Sequence, residues 1–208
     1  MRGTRAAPPL IREALYSDSS NLFSESGLNL EQKGIWEDLG DIKFSGEVAV
    51  ENFKKIKNVV KDVLASDQKL VSLGGDHSIS WPVIDAHLEV WSSLDILHFD
   101  AHPDLYDNLL DNKLSHASPF ARIMETGKVN RLVQIGIRTL NQHQREQAEK
   151  FGVEIYEMRD LAELNAISFS KPVYCSIDID VLDPAYAPGV SHFEPGGLST
   201  RELIEYIN

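Results

Sequence analysis

The chain has 208 residues, 20 of them Lys or Arg and 32 Asp or Glu, giving a formal charge of −12, with 42% hydrophobic and 8% aromatic residues. A chain of that length buries about 70% of its unfolded surface, so one or at most two cores are expected and neither staples nor metal are needed merely to fold. The acidic balance argues against a surface that neutralises phosphates, and no apolar stretch approaches the ~20 residues that cross a bilayer, so neither nucleic acid nor membrane is expected as a partner.

The start, MRGTRAAPPLIREAL, lacks the apolar core of a secretory signal, and a cytoplasmic location is the expectation. Residues 17–34, rich in Ser, Asn and Gly, read as the loosest stretch. Over 47–66, Val50, Phe53, Ile56, Val59, Val60, Val63 and Leu64 recur at helical spacing and predict an amphipathic helix. A strand is predicted at 69–73, stopped by Gly74-Gly75, followed by a helix over 79–90 and a strand over 94–99. The pattern continues with a helix at 116–126, a strand at 131–137, a helix at 141–151, and strands at 153–156 and 172–179. A final helix over 199–208 opens on the capping box Ser199-Thr200-Arg201-Glu202. Alternating apolar runs and helical patterns predict βαβ units and an α/β fold around a buried, mainly parallel sheet. The single cysteine, Cys175, lies in the apolar run Val173-Tyr174-Cys175-Ser176-Ile177 and reads as a buried, inert thiol. No linker divides the chain, so residues 1–208 are expected to form one domain. The last helix meets no Gly or Pro to end it, which implies that the domain is incomplete.

Three acid- and histidine-rich clusters stand directly after predicted strands: Gly74-Gly75-Asp76-His77-Ser78, Asp100-Ala101-His102-Pro103-Asp104 and Asp178-Ile179-Asp180. Ligands of parallel sheets bind outside the carboxyl ends of the strands, so the three clusters are expected to converge on one crevice. Carboxylates packed that closely repel one another in a low dielectric unless a cation neutralises them. Alternating spacing sends Asp100, His102 and Asp104 to one side of an extended segment, and Asp178 and Asp180 likewise. Mixed carboxylate and imidazole without thiolate favours Mn²⁺- or Fe²⁺-like ions, and bridging carboxylates suit a two-metal site. His98, inside an apolar strand, and His87, on a helix, read as structural, and His143 as a surface residue. His116 follows the loop that leaves the Asp-His-Asp cluster and is expected to open a helix, where it is a candidate general acid or proton shuttle.

These segments, together with Ser115-His116-Ala117-Ser118 and Ser176-Ile177-Asp178-Ile179-Asp180-Val181-Leu182-Asp183-Pro184, resemble the signatures of the ureohydrolases, that is, arginases and agmatinases. The similarity runs on through Ala187-Pro188-Gly189-Val190-Ser191-His192-Phe193-Glu194-Pro195-Gly196-Gly197-Leu198-Ser199 and is nearest to plant-type and agmatinase-like arginases. The resemblance implies a three-layer α/β/α sandwich holding two Mn²⁺ ions per chain. One ion is then held by His77, Asp100, Asp104 and Asp178, the other by Asp100, His102, Asp178 and Asp180. It further implies hydrolysis of a small guanidino substrate, L-arginine first and agmatine as the rival, with His116 shuttling protons and Asn141 in the region that meets the substrate's amino group. A trimer or hexamer is implied too. In the family a first strand precedes Gly3-Thr4-Arg5, and a strand beyond residue 208 carries a glutamate that binds the guanidinium. The alternatives outside this class are a deacetylase with a single zinc and an inactive fragment.

Overall fold

Four strands form the centre of the molecule: β1 (Leu94–Phe99), β2 (Val129–Ile137), β3 (Glu154–Glu157) and β4 (Val173–Ile177), ordered β3-β2-β1-β4. All three pairings are parallel. The structure is a computed structural model that describes residues 3–44, 46, 48–164 and 166–208. Parallel neighbours need crossover connections, supplied by α4 (Pro119–Met124) between β1 and β2 and by α5 (Gln142–Phe151) between β2 and β3. The other helices are α1 (Ala7–Leu15), α2 (Ala49–Leu64), α3 (Ser80–Val90) and α6 (Thr200–Ile207).

The two-residue period of the strands splits their apolar side chains between two cores. Leu94, Ile96 and Leu132 meet Ile84 and Leu88 of α3, Phe120 and Ile123 of α4, and Ala148 of α5. On the opposite face Phe99, Val133 and Ile135 meet Val181, Leu182, Leu198 and Leu203, the last from α6. Fully burying a side chain such as Ile96 or Leu132 contributes about 1.5–3 kcal/mol. The stripe predicted on α2 is real: Ile56, Val60 and Leu64 pack on Val83 and Ala86 of α3, a cluster that Tyr174 of β4 also packs against. The expected α/β architecture, helices over both faces of a parallel sheet, is the one observed.

Most predicted elements fall within a residue or two of their places; the helix read over 47–66 runs from Ala49 to Leu64, and Glu47 lies outside the described residues. Ser199 and Glu202 close their capping box on α6, and Gly152, at φ 66°, ends α5 in the left-handed conformation. Three expectations are corrected. Residues 69–73 are not a strand: among the described residues no strand pairs with them, Val71 is 85% exposed, and an apolar run without a ladder partner cannot satisfy its backbone by strand pairing. The helix expected at 116–126 spans only Pro119–Met124, because Pro119, with no N–H, suits the first helical turn, leaving His116 in the turn before it. Cys175 is exposed rather than buried, because β4 has a strand neighbour on one side alone among the described residues.

Candidate metal centre

The register of the sheet brings the clusters together. Phe99 pairs with Ile135 on one side and Ile177 on the other, so β1 and β4 end level and β2 runs two residues further. The ladder runs one step further, with Asp100 N–H donating to the Ile135 carbonyl (3.1 Å) and Asp178 N–H to the Phe99 carbonyl (2.8 Å), which sets Asp100 and Asp178 side by side. Asp178 then accepts from the N–H of Asp180 (3.1 Å) and starts a short 3₁₀ turn, Ile179–Val181, that directs Asp180 back to the cluster. Asp104 itself adopts φ +51°, a left-handed conformation uncommon for residues other than glycine, though Asp tolerates it better than most. Asp76 caps the 3₁₀ turn His77–Ile79 by accepting from Ser78 N–H (3.0 Å), and that turn presents His77 to the carboxylates.

His77 Nδ1 lies 3.1 Å from Asp100 Oδ2, 3.0 Å from Asp104 Oδ2 and 3.3 Å from Asp178 Oδ2. His102 Nδ1 lies 3.3 Å from Asp100 Oδ1 and 3.2 Å from Asp180 Oδ2. Asp100 therefore gives one oxygen to each group. All six of the metal ligands read from the sequence meet here. The arrangement fits a cation: His77 Nδ1 is buried and, among the described residues, makes no hydrogen bond despite three carboxylate oxygens around it. Donors about 2.1 Å from a shared ion and at right angles to each other stand about 3 Å apart, which is the spacing of these atoms.

The electrostatics point the same way. Burial and the charge of Asp100 push the Asp104 carboxyl up to about 7. Burial also lifts Asp180, to about 6, with Asp100 and Asp178 adding to it against the opposing pull of His102. Burial opposes charge on His102, but its contacts with Asp100 and Asp180 prevail and raise it to about 11. Burial likewise opposes ionisation of Asp100, yet His102, His77 and His98 hold it well below the usual carboxylate range. Protons thus take up the role that a bound cation fills, and an ion entering the cluster displaces them.

A cavity of about 840 Å³ opens on the cluster, lined in part by His116, His192, Glu194, Tyr106 and Gln144. His116 stacks on His192 with ring centroids 5.7 Å apart, and His192 meets His102 edge-on, also at 5.7 Å. Burial lowers the His116 pKa, favouring the neutral imidazole. Asn141 Oδ1 caps α5 by accepting from Gln144 N–H (3.0 Å), and its Nδ2 donates to the hydroxyl of Tyr106, which lines the cavity with Gln144. Cys175 opens on the same cavity, with enough protein around it for burial to push its thiol up. His87 is structural, its Nδ1 donating to the Val83 carbonyl (2.8 Å), and His143 stacks on Tyr106 near the surface.

Several participants escaped the sequence reading. Glu194 Oε1 lies 3.6 Å from His102 Nε2, but it sits in a Gly- and Pro-rich loop with no periodicity to orient it. Arg138 donates to the carbonyls of Asp180 (2.7 Å) and Glu194 (2.6 Å) and so clamps the two loops that carry those acids. His98, read only as structural, is bonded through Nε2 to Asp100 Oδ2 (2.9 Å) and lies beside Gln134. The available signal was a polar residue inside each of two neighbouring apolar strands.

Comparison with known proteins agrees with this geometry. A family model described as the Arginase family matches residues 1–208. Arginase 1, mitochondrial, of Arabidopsis thaliana is 45% identical over 223 residues, covering 100% of this chain and 65% of the plant protein. An agmatinase of Bacillus cereus is 34% identical, covering 99% of this chain and 71% of its own length. The solved arginase from Medicago truncatula superposes with a TM-score of 0.92 at 46% identity, covering 97% of this chain and 68% of that one. The chain thus spans about 65% of the length of the curated plant arginases it matches. Their names correct the expectation of a cytoplasmic chain, since the Arabidopsis and Medicago relatives are named as mitochondrial.

Proposed function

The chain belongs to the arginase family, and from that premise we propose that it hydrolyses a linear guanidino compound, L-arginine to L-ornithine and urea, with two Mn²⁺ ions held at the cluster. The observation that carries this reading is the meeting of Asp100, Asp104 and Asp178 around a buried His77 nitrogen that has no hydrogen-bond partner among the described residues, with His102 and Asp180 gathered at the other Asp100 oxygen. His77, Asp100, Asp104 and Asp178 hold one ion; Asp100, His102, Asp178 and Asp180 hold the other. When bound, such ions lower the pKa of water and supply hydroxide near neutral pH.

The chain's own residues do the rest. Four carboxylates would balance the positive charge of the ions, and Asp100 presents one oxygen to each group of side chains. His116, in the cavity but outside the ligand set, moves a proton to the departing amine, which is a poor leaving group as an anion. Its imidazole is a group that can take up a proton and give it away. Water adds to the guanidinium carbon, one C–N bond breaks, and urea and an amine result. Residues 1–208 act in this reading as a single domain. Agmatine is the rival substrate, since a relative at 34% identity is named agmatinase.

The test is urea release from the purified, Mn²⁺-loaded chain given L-arginine, agmatine or 4-guanidinobutyrate separately. Urea from arginine supports the reading. Urea only from agmatine transfers it to the rival, and urea from none of the three overturns it.

A further inference from the structure

Gln134 of β2 and His98 of β1 are register partners, and both are 0% exposed. A polar pair inside an apolar sheet is costly unless it is hydrogen-bonded, so the pattern of its bonds carries information. Gln134 Nε2 lies 2.7 Å from the Pro103 carbonyl and 3.0 Å from His98 Nδ1. A carbonyl only accepts, so the atom facing Pro103 is the amide nitrogen, and the amide cannot be turned over without setting oxygen against oxygen. Its two hydrogens then go to Pro103 O and to His98 Nδ1. His98 Nδ1 is therefore an acceptor, and the ring proton sits on Nε2, 2.9 Å from Asp100 Oδ2. His98 donates to Asp100 and has no free lone pair for a metal, although its nitrogen lies close enough to His77 and Asp100 to have served as a ligand. Phe120, stacked on the His98 ring at 3.9 Å, holds the ring in place.

We propose that Gln134 is a positioning residue for the metal centre: its one amide NH₂ group, acting through His98 and through the Pro103 carbonyl, fixes both Asp100 and the turn that carries His102 and Asp104. The inference rests on the two-metal reading above and deepens it. With the His98 N–H on one side of Asp100 Oδ2, the side facing His77 is left for the cation. The bond to Pro103 holds a turn whose last residue, Asp104, stands at φ +51°. Partners of this kind fix ligand orientation, and losing one typically lowers metal affinity 10- to 100-fold.

Two readouts on the full chain decide it, neither of which involves a substrate. Long-range ¹H–¹⁵N NMR of the metal-free protein reports which ring nitrogen of His98 carries the proton, and calorimetric titration reports Mn²⁺ affinity. The expected wild-type result is an Nε2–H tautomer. Gln134→Glu, which puts an acceptor beside Nδ1, is expected to move the proton to Nδ1 and weaken Mn²⁺ binding about 10- to 100-fold. Gln134→Met, close in size but with no donor, is expected to weaken binding similarly, and to add a smaller loss in a His98→Phe background than it causes alone. A wild-type His98 protonated on Nδ1, or a Gln134→Glu chain that binds Mn²⁺ as tightly as wild type, overturns the proposal. If Gln134→Met does not fold, the wild-type spectrum and the Glu variant still decide. Failure of the proposed activity appears separately, as Gln134-dependent Mn²⁺ binding without urea from any guanidine.

Discussion

Arg138 donates to the carbonyl oxygen of Asp180 at 2.7 Å, so a residue at the end of β2 holds in place a carboxylate that follows β4. The same guanidinium reaches the carbonyls of Val181, Gly136 and Glu194. Arg138→Met leaves these acceptors without their charged donor and is expected to cost about 2–4 kcal/mol of stability, together with weaker metal binding on the His102–Asp180 side. Denaturant titration beside metal titration checks this, and an unchanged unfolding midpoint contradicts it.

Asp178 and His116 separate metal binding from turnover. Asp178→Asn removes a carboxylate assigned to both ions, so less Mn²⁺ per chain is expected by elemental analysis. His116→Asn is expected to retain the wild-type metal content while slowing urea release. Loss of metal from the His116 variant contradicts the role given to it.

Metal uptake should depend on pH in one direction. Asp104, raised to about 7, and Asp180, raised to about 6, are protonated below those values, and His102, raised to about 11, carries a proton at neutrality that it must lose to become a ligand. Affinity is therefore expected to fall as pH drops from 8 to 6, by up to about tenfold per pH unit for each proton displaced. Calorimetry in two buffers of different ionisation enthalpy measures the protons released. Binding that releases none contradicts the account.

Gly136 marks a close approach of backbone to the site. At φ +97°, a Cβ there would lie 2.5 Å from Val181 Cγ2 and 3.1 Å from the Asp100 carbonyl oxygen. Gly136→Ala combines backbone strain with overpacking, and a loss of about 2 kcal/mol or more is expected from its unfolding curve.

The sequence made the chemistry more legible than the edges of the sheet. The candidate ligands could be read because Asp100, His102 and Asp104, and Asp178 and Asp180, stand at fixed spacing directly after strands, where a parallel sheet gathers polar residues whatever its loops do. The apolar run at 69–73 misled because composition cannot tell a strand from a segment that pairs with no strand among the described residues, and the exposure of Cys175 follows from β4 pairing on one side alone among those residues. Helix length failed at Pro119 because 116–118 carry helix-compatible side chains but form a turn. His98 and Gln134 were hidden for a different reason: a buried polar residue is read as incidental until its partner on the adjacent strand is known, and register is a property of the fold.

The central claim is that six side chains from three separate segments hold two manganese ions. Crystals of the chain grown with Mn²⁺ and measured at the manganese absorption edge test it directly. The account predicts two anomalous peaks, one between His77 and Asp104 and one between His102 and Asp180, with Asp100 and Asp178 shared. A single peak, or peaks away from Asp100, would contradict it.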